Sequence, residues 1–555
     1  MKYFLLTILT SFQFLFSAAT TTYEIERIKC HLGFGGNKVL SLLDGNLLVV
    51  GTCFHENAIF SSPSWGFGDV SVVKLDSNYN IIWAKRYGSS AFDTGYDAIE
   101  NDDGTITVLA HINYVGWLLD TTVASGQVSK PLGLEDVWLF QIDNNGNLLW
   151  EKTIGTSDGD VAQSMAKAPN GDLLLIGSTF GNDGHFTGHK GIPGYHLDWM
   201  LCRLDKYGNY KWSKLIGGSH NDADIYITAT GNDTYMLTGM TTSLDGDCTN
   251  TDGNFLVKAS DTLGISNWIA KIDGDGNFIW TTRMRSGVSI IYPNNLTQPI
   301  YVNGVLTIPY HTLNYNESVT CTPGLVGSGA IGVWVVQIDT NSNIRWQYCM
   351  NGDDLDLRTR IVYWKGMYVL ATETRSVLGD FYVINPYNTN YYDIAITLID
   401  TNGNRILQKR PKQKLLPDNT PLSGMSVFHD KVVFCHSSKF VVDSCEGRDV
   451  DFSPASFEEL ISIESVDPVN RDTSSLFTAS VFPNPYSDNI TIDLGNYNMH
   501  EPVIMVMQSI GGNVIYKKVL FQNKTQFSIP NISSGMYFLS LLNGKQNISL
   551  KLIKI

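Results

Sequence analysis

A chain of 555 residues with 39 Lys and Arg against 54 Asp and Glu carries a formal net charge of −15, which excludes an electrostatic grip on nucleic acid. Hydrophobic residues at 43% and aromatics at 11% exclude a disordered chain and allow more than one domain. Fifty Gly, many Asn and Asp and few helical periods favour strands joined by turns.

The chain opens "MKYFLLTILTSFQFLFSAATTTYE", with Lys2 ahead of an apolar run from Phe4 to Phe16 and small residues Ser17 and Ala19 before Thr20. This predicts a secretory signal peptide over residues 1–19. A membrane span needs ~20 apolar residues and this run is shorter. No other segment could span a bilayer, so no transmembrane segment is expected in the mature chain. Cys30 lies too far along to carry a lipid anchor at the cleavage point.

Two kinds of hairpin then alternate. The first is "KVLSLLDGNLLVVGTCF", followed by "AIENDDGTITVLAHI", "AQSMAKAPNGDLLLIGSTF" and four later copies ending near Ser438. The second is "DVSVVKLDSNYNIIWAKRYG", followed by "DVWLFQIDNNGNLLWEKTIG" and four later copies. Alternating apolar and polar residues read as strands, and the D-x-x-G-N elements between them read as tight turns. The Asp-to-Trp interval repeats in Asp76–Trp83, Asp143–Trp150, Asp205–Trp212, Asp273–Trp280 and Asp339–Trp346, and Asp400–Leu407 keeps it with Leu in place of Trp. The period is about 65 residues, so each repeat is four antiparallel strands, a to d, stacked around an axis. The expected fold is all-β: a β-propeller over residues 20–468.

Seven a–b hairpins stand against six c–d hairpins. The seventh is followed by one plausible c strand, "FEELISIESV", and the missing d strand is expected from "YEIERIKCHLGFGGN", Tyr23 to Asn37. The N-terminal strand would close the last of seven blades and remove an open edge. The Trp residues are expected to pack between blades and the Asp, Gly and Asn residues to make turns.

Long, aromatic-containing connections concentrate between strands b and c, so the b–c face is the expected surface for a glycan or protein ligand. One of these loops, "GHFTGHKGIPGYH", gathers His185, His189 and His196 between Asp183 and Asp198. Three imidazoles could hold zinc, but the spacing fits no zinc signature, and solvated loop histidines are the preferred reading. Asp245, Asp247 and Asp252 lack the full calcium-loop pattern and read as turn residues. Eight cysteines show no metal-ligand spacing; some could pair in an exported protein, and those in predicted strands fit buried thiols equally well.

The D-x-x-G-N-x-x-W element is similar to the tryptophan motif of quinoprotein dehydrogenases, but adjacent cysteines are absent; the Asp-to-Trp spacing also departs from the sialidase Asp-box. No catalytic constellation stands out, and no metal or cofactor is expected. The leading expectation is a binding or adhesion module. The rival is a secreted propeller enzyme, a polysaccharide hydrolase or lyase or a quinone-dependent oxidoreductase, favoured if the b–c face holds a funnel with a carboxylate pair and Arg or Tyr.

The repeats end in a polar linker, residues 469–479. Residues 480–555 hold short alternating strands with turn residues between them, which predict a small Ig-like β-sandwich. This segment resembles the type A C-terminal sorting domain of the type IX secretion system of Bacteroidetes. The resemblance is carried by Pro483-Asn484-Pro485, the "SIGGNVI" hairpin, "ISSGMYFLSL" with Gly535 and Tyr537, and the terminal Lys551 and Lys554. It implies Sec export, handling by the type IX machinery, and delivery to the cell surface or medium by way of the periplasm.

Overall fold

The computed structural model describes residues 22–554 apart from 30–34, 54–58, 67, 114–125, 129–131, 250–265, 285–297, 313–331, 351, 353, 377–392, 410–421, 430, 440–455, 467–478, 483–488, 495–502, 510–513, 521, 529–532 and 543–546. The expected signal peptide therefore lies outside the described residues. The chain divides into a large unit, Thr22–Val466, and a C-terminal unit within Asp467–Ile555.

The large unit holds seven four-stranded antiparallel sheets. They span residues 35–87 (sheet I), 92–154 (II), 160–216 (III), 222–284 (IV), 300–350 (V), 356–409 (VI) and 422–466 (VII). In sheets I to VI the strands lie in chain order, a to d. Sheet VII has three strands of its own and takes its fourth from Thr22–Lys29, which runs antiparallel to Ser456–Val466. The register puts Thr22 opposite Val466 and Lys29 opposite Glu459. The expected pairing is met over a shorter stretch, because Gly35 onward belongs to strand a of sheet I. The a strands touch in order from I to VII, and VII touches I. The fold is all-β and propeller-like.

Burial within a sheet departs from simple alternation. The b strand Leu47–Cys53 and the c strands Asp69–Leu75 and Asp198–Leu204 are buried at every position. Strands covered on both faces need near-continuous apolar sequence, and their polar residues lie between sheets. The d strands show a solvent side: Ile81–Tyr87 runs from exposed at its start to buried at its end.

The recurring D-x-x-G-N-x-x-W element is an interlock between sheets. Asp143 Oδ1 accepts the backbone N–H groups of Asn145 (2.9 Å) and Asn147 (2.8 Å), and Asn147 Nδ2 donates to Asp143 Oδ2 at 2.8 Å. The same backbone bonds form at Asp76, Asp205, Asp273, Asp339 and Asp400. These bonds hold every such Asp below the ordinary carboxylate range; burial opposes the shift and at most positions is the largest single influence. The glycine has a second duty besides its positive φ. A methyl group on Gly208, Gly276 or Gly403 would come within 2.8 Å of Trp150, Trp212 or Trp346 of the preceding sheet. The indole N–H groups of Trp83, Trp280 and Trp346 donate to the turn carbonyls of Asn144, Thr340 and Thr401 in the following sheet, at 3.1, 3.0 and 3.0 Å. Each turn is thus a lid on its neighbour's tryptophan, which is why Asp, Gly, Asn and Trp travel together.

In the C-terminal unit, Ser480–Phe482, Asn489–Asp493 and Lys524–Ser528 form one antiparallel sheet. The second sheet orders Val514–Leu520, Val503–Ser509, Gly535–Leu542 and Asn547–Lys554. Ile490 and Ile492 of the first share one buried cluster with Met505, Met507, Leu539 and Leu541 of the second. Burial of both inner faces in one cluster holds the two sheets together.

Cys202 and Cys248 are buried free thiols, and Cys349 is disulfide-bonded.

Candidate functional site

Strands within a sheet alternate in direction, so the start of a, the end of b and the start of c lie on one side; Asp160 pairs with Thr179, and Thr179 with Asp198. This is the b–c side. Its loops are fastened by buried aspartates. Asp69 accepts Trp65 N–H and Ser64 O–H, Asp136 accepts Leu132 and Gly133 N–H, and Asp198 accepts Lys190 N–H at 2.6 Å. A second set opens each following a strand: Asp93, Asp160 and Asp222 accept the N–H groups of Ser89, Thr156 and Gly218 at 2.6, 2.6 and 2.7 Å.

The two sets meet across glycines. A Cβ on Gly88 would sit 2.7 Å from both Asp69 and Asp93 oxygens, and one on Gly155 would sit 2.5 Å from Asp160 and 2.6 Å from Asp136. Only a hydrogen side chain leaves room for the facing carboxyls. Burial, aided by the neighbouring carboxylate, pushes Asp93 and Asp160 up to about 7, and burial pushes Asp222 up to about 6. These pairs are hydrogen-bonded into the frame and hold the loops.

Inside that frame the a strands carry a repeated irregularity. The a–b register slips by one residue at Asn37, Tyr96, Gln163 and Asp224, and again by one in sheets VI and VII, where Arg358–Thr359 and Ser423–Gly424 each set two residues against one. Bulges re-aim side chains, and here they turn polar groups toward neighbouring sheets. Asp224 and Arg358 take left-handed backbone, φ 44° and 43°. Asn37 Nδ2 donates to Gly95 O at 2.7 Å, and Gln163 Nε2 donates to Asp224 Oδ1 at 3.0 Å while Gln163 Oε1 accepts Ile225 N–H at 2.9 Å. Lys38 pairs with Asp97 at 2.6 Å and reaches Gln298 Oε1 at 3.3 Å. Asp97 also accepts Met165 N–H at 3.1 Å. One polar network therefore joins sheets I to IV and the residue leading into sheet V.

Two phenols and an arginine complete it. Burial raises Tyr96 to about 12, with Glu135, Tyr226 and Asp224 adding to the shift. Tyr226 is raised by burial, with Arg360 opposing and Asp224 and Asp97 adding. Both are neutral hydrogen-bonding groups at physiological pH, not nucleophiles. The cluster has the composition expected of an enzyme funnel: Asp97 and Asp224 with Tyr96, Tyr226 and Arg360. Asp97 is engaged by Lys38 and a backbone amide, and Asp224 Oδ1 by Gln163. What the cluster offers is phenol and amide hydrogen-bonding groups beside the Arg360 guanidinium and the Lys38–Asp97 pair.

His189 and His196 both lie beside Gly191, where an added Cβ would sit 3.4 Å from His189 Cε1 and 3.2 Å from His196 Nδ1. His185 Nδ1 lies 3.1 Å from Gly155 O, His196 Nδ1 accepts Ile192 N–H at 3.3 Å, and His189 is a fully buried side chain 3.6 Å from Asp198. Burial of His189 corrects the expectation of solvated loop histidines. Among the described residues no three His, Cys, Asp or Glu side chains are grouped to hold a metal. Asp245 accepts Ser219 N–H at 2.8 Å and Asp247 pairs with Lys190 at 2.5 Å, while Asp252 lies outside the described residues. The bulge residues were missed in the sequence, although each breaks the period-two phase of its strand, as in "VAQSM".

In the C-terminal unit, Tyr537 donates from its hydroxyl to Ser533 O at 2.6 Å. Lys551 stands opposite Phe538 and Lys554 opposite Gly535, so four of the expected sorting residues share one strand pair. Pro483, Asn484 and Pro485 lie outside the described residues.

An all-β, propeller-like unit ahead of a small two-sheet unit is the class of protein this architecture defines. Residues 480–555 match the family described as "Secretion system C-terminal sorting domain". The chain is accordingly one that is exported, to the cell surface or the medium, and among the described residues no helix is long and apolar enough to cross a membrane. No curated protein matches the chain. Solved structures similar to it include Drosophila Semaphorin 2a (9% identity, TM-score 0.42, covering 93% of this chain and 96% of that one). The Neurospora crassa Pan2 WD40 domain is similar at 7% identity and TM-score 0.40, covering 82% and 98%. Trypanosoma rangeli sialidase is similar at 8% identity and TM-score 0.35, covering 95% and 89%. These likenesses assign no activity.

Proposed function

We propose that this protein is a Bacteroidetes surface or secreted binding module: a signal peptide, a closed seven-bladed β-propeller that recognises a glycan at the b–c mouth of its axis, and an Ig-like sorting sandwich. In this reading the propeller occupies residues 20–468, and Pro483, Asn484, Pro485, Gly535, Tyr537, Lys551 and Lys554 are read by the type IX machinery. Seven sheets whose a strands touch in cyclic order support the closed ring. The observation that carries binding over catalysis is the ion pair of Asp97 with Lys38 at 2.6 Å, which engages that carboxylate in the frame. A protein ligand is the alternative occupant of the same face.

The mature chain applied to a glycan array should bind a restricted set of glycans, and Arg360→Ala should weaken that binding at least tenfold, about 1.4 kcal/mol. Cleavage of an arrayed glycan, with no stable binding, would move the protein to the enzyme class.

A further inference from the structure

A second site lies on the opposite side of the large unit, where the turns are tight. A cavity of about 480 Å³ opens between sheets V and VI, and Gln337, Arg345, Trp346, Tyr363, Tyr368 and Asn402 help to line it. Its walls are aromatic. Trp346 and Tyr368 meet edge to face with centroids 5.8 Å apart, and Tyr363 and Tyr368 lie 5.2 Å apart. Trp346 and Tyr363 are only partly buried, so aromatic surface remains open to an occupant.

The polar group in this cavity is out of balance. Gln337 is 3% exposed, and its amide nitrogen lies 3.0 Å from Thr307 Oγ1 and 2.8 Å from the Tyr368 hydroxyl. Those two contacts use one end of the amide and leave the other without a protein partner among the described residues, whichever way the amide is turned. Sheet II shows the balanced arrangement: Gln141 Nε2 bonds Thr107, and Gln141 Oε1 accepts the Trp150 indole N–H at 3.0 Å. In sheet V the corresponding indole, Trp346, donates instead to Thr401 O at 3.0 Å. The freed amide group belongs to a nearly buried residue that lines the cavity, so an occupant of the cavity can reach it. A ligand hydroxyl can donate or accept, so it satisfies this group in either orientation.

The geometry points to a saccharide site: a single pyranose-sized ring packed against Trp346 and Tyr363, with one hydroxyl on the Gln337 amide and another within reach of the exposed Arg345 at the rim. Aromatic faces suit the C–H side of a sugar ring, and a few fixed polar groups set its orientation. A phosphorylated ligand fits less well, because Arg345 is the one cation among the residues lining the cavity and the chain is strongly acidic.

The test titrates the mature chain with the methyl glycosides of glucose, galactose, mannose, xylose and N-acetylglucosamine, read by saturation-transfer NMR and tryptophan fluorescence. At least one glycoside should bind saturably. Arg345→Ala and Tyr363→Ala should each weaken it at least tenfold, while Tyr363→Phe, which keeps the ring, should retain most of the affinity. Tyr207→Ala removes an exposed aromatic from sheet III, away from the cavity, and should change nothing; thermal melts confirm that each variant is folded. No saturable binding by any of the five overturns the proposal. So does binding that survives both Arg345→Ala and Tyr363→Ala, or that is lost only in Arg360→Ala, which would put the sugar at the mouth.

Discussion

A chain lacking residues 480–555 should be made, pass the inner membrane and accumulate in the periplasm, with none on the cell surface or in the medium. The effect is expected to be all-or-none. The C-terminal unit has its own buried cluster of apolar residues drawn from both of its sheets, so it is a discrete module whose loss leaves the sheets of the large unit intact. Fractionation with protease shaving of whole cells measures the outcome. Surface delivery of the truncated chain at the normal level would defeat the sorting assignment. Substituting Tyr537→Phe asks a finer question, since it removes only the hydroxyl that bonds Ser533 O. That bond contributes about 1 kcal/mol, so partial retention of delivery is expected.

The second large effect is on stability against pH. Asp93 and Asp160 titrate near 7 and Asp222 near 6 in the folded chain because they are buried, against about 4 when unfolded. Between those values the folded state binds more protons than the unfolded one, so stability falls as pH rises from about 4 to about 7. Each shift of three pH units corresponds to about 4 kcal/mol, and the Asp222 shift to about 3 kcal/mol. Water entering as the loops loosen will reduce the observed loss to a few kcal/mol. The turn aspartates act in the opposite sense. Their depressed values make a contribution that is lost below about pH 4, so the optimum should fall near pH 5. Urea melts at pH 5 and pH 8 measure the difference. Asp93→Asn and Asp160→Asn should flatten the decline and exceed the natural chain in stability at pH 8. Stability that rises steadily from pH 5 to pH 8 would show that these carboxyls are not held protonated by the fold.

Much of this was legible in the sequence, for physical reasons that differ by element. The d-strand tryptophan and the following sheet's glycine announced themselves because each needs the other: no side chain fits between Gly208 and Trp150, so both recur at fixed spacing. The closing strand was legible from the imbalance between hairpin types, since an unpaired edge must find a partner. The paired aspartates were overlooked although Gly88 and Asp93, Gly155 and Asp160, and Gly217 and Asp222 share one spacing. Asp in a turn-rich sequence reads as a turn residue, and burial is invisible until the loops are folded over it. The mouth was harder still. A bulge changes which way one residue points without changing composition, and the phase break it leaves at Gln163 or Asp224 is a single position, too small to stand out from an ordinary polar residue on a strand. The cavity between sheets V and VI turns on which acceptor Trp346 chooses, a matter of a few ångströms that no spacing records.

The proposed ring of sheets, fastened by its N-terminal strand, is what would bring all the b–c loops and bulges around one mouth. Hydrogen exchange of the mature chain tests this most directly. Thr22–Lys29 and Ser456–Val466 should exchange slowly and at matching rates, and deleting residues 22–29 should speed exchange across 422–466. Fast exchange at Thr22–Lys29 beside a fully protected Ser456–Val466 would mean that the ring is not closed this way.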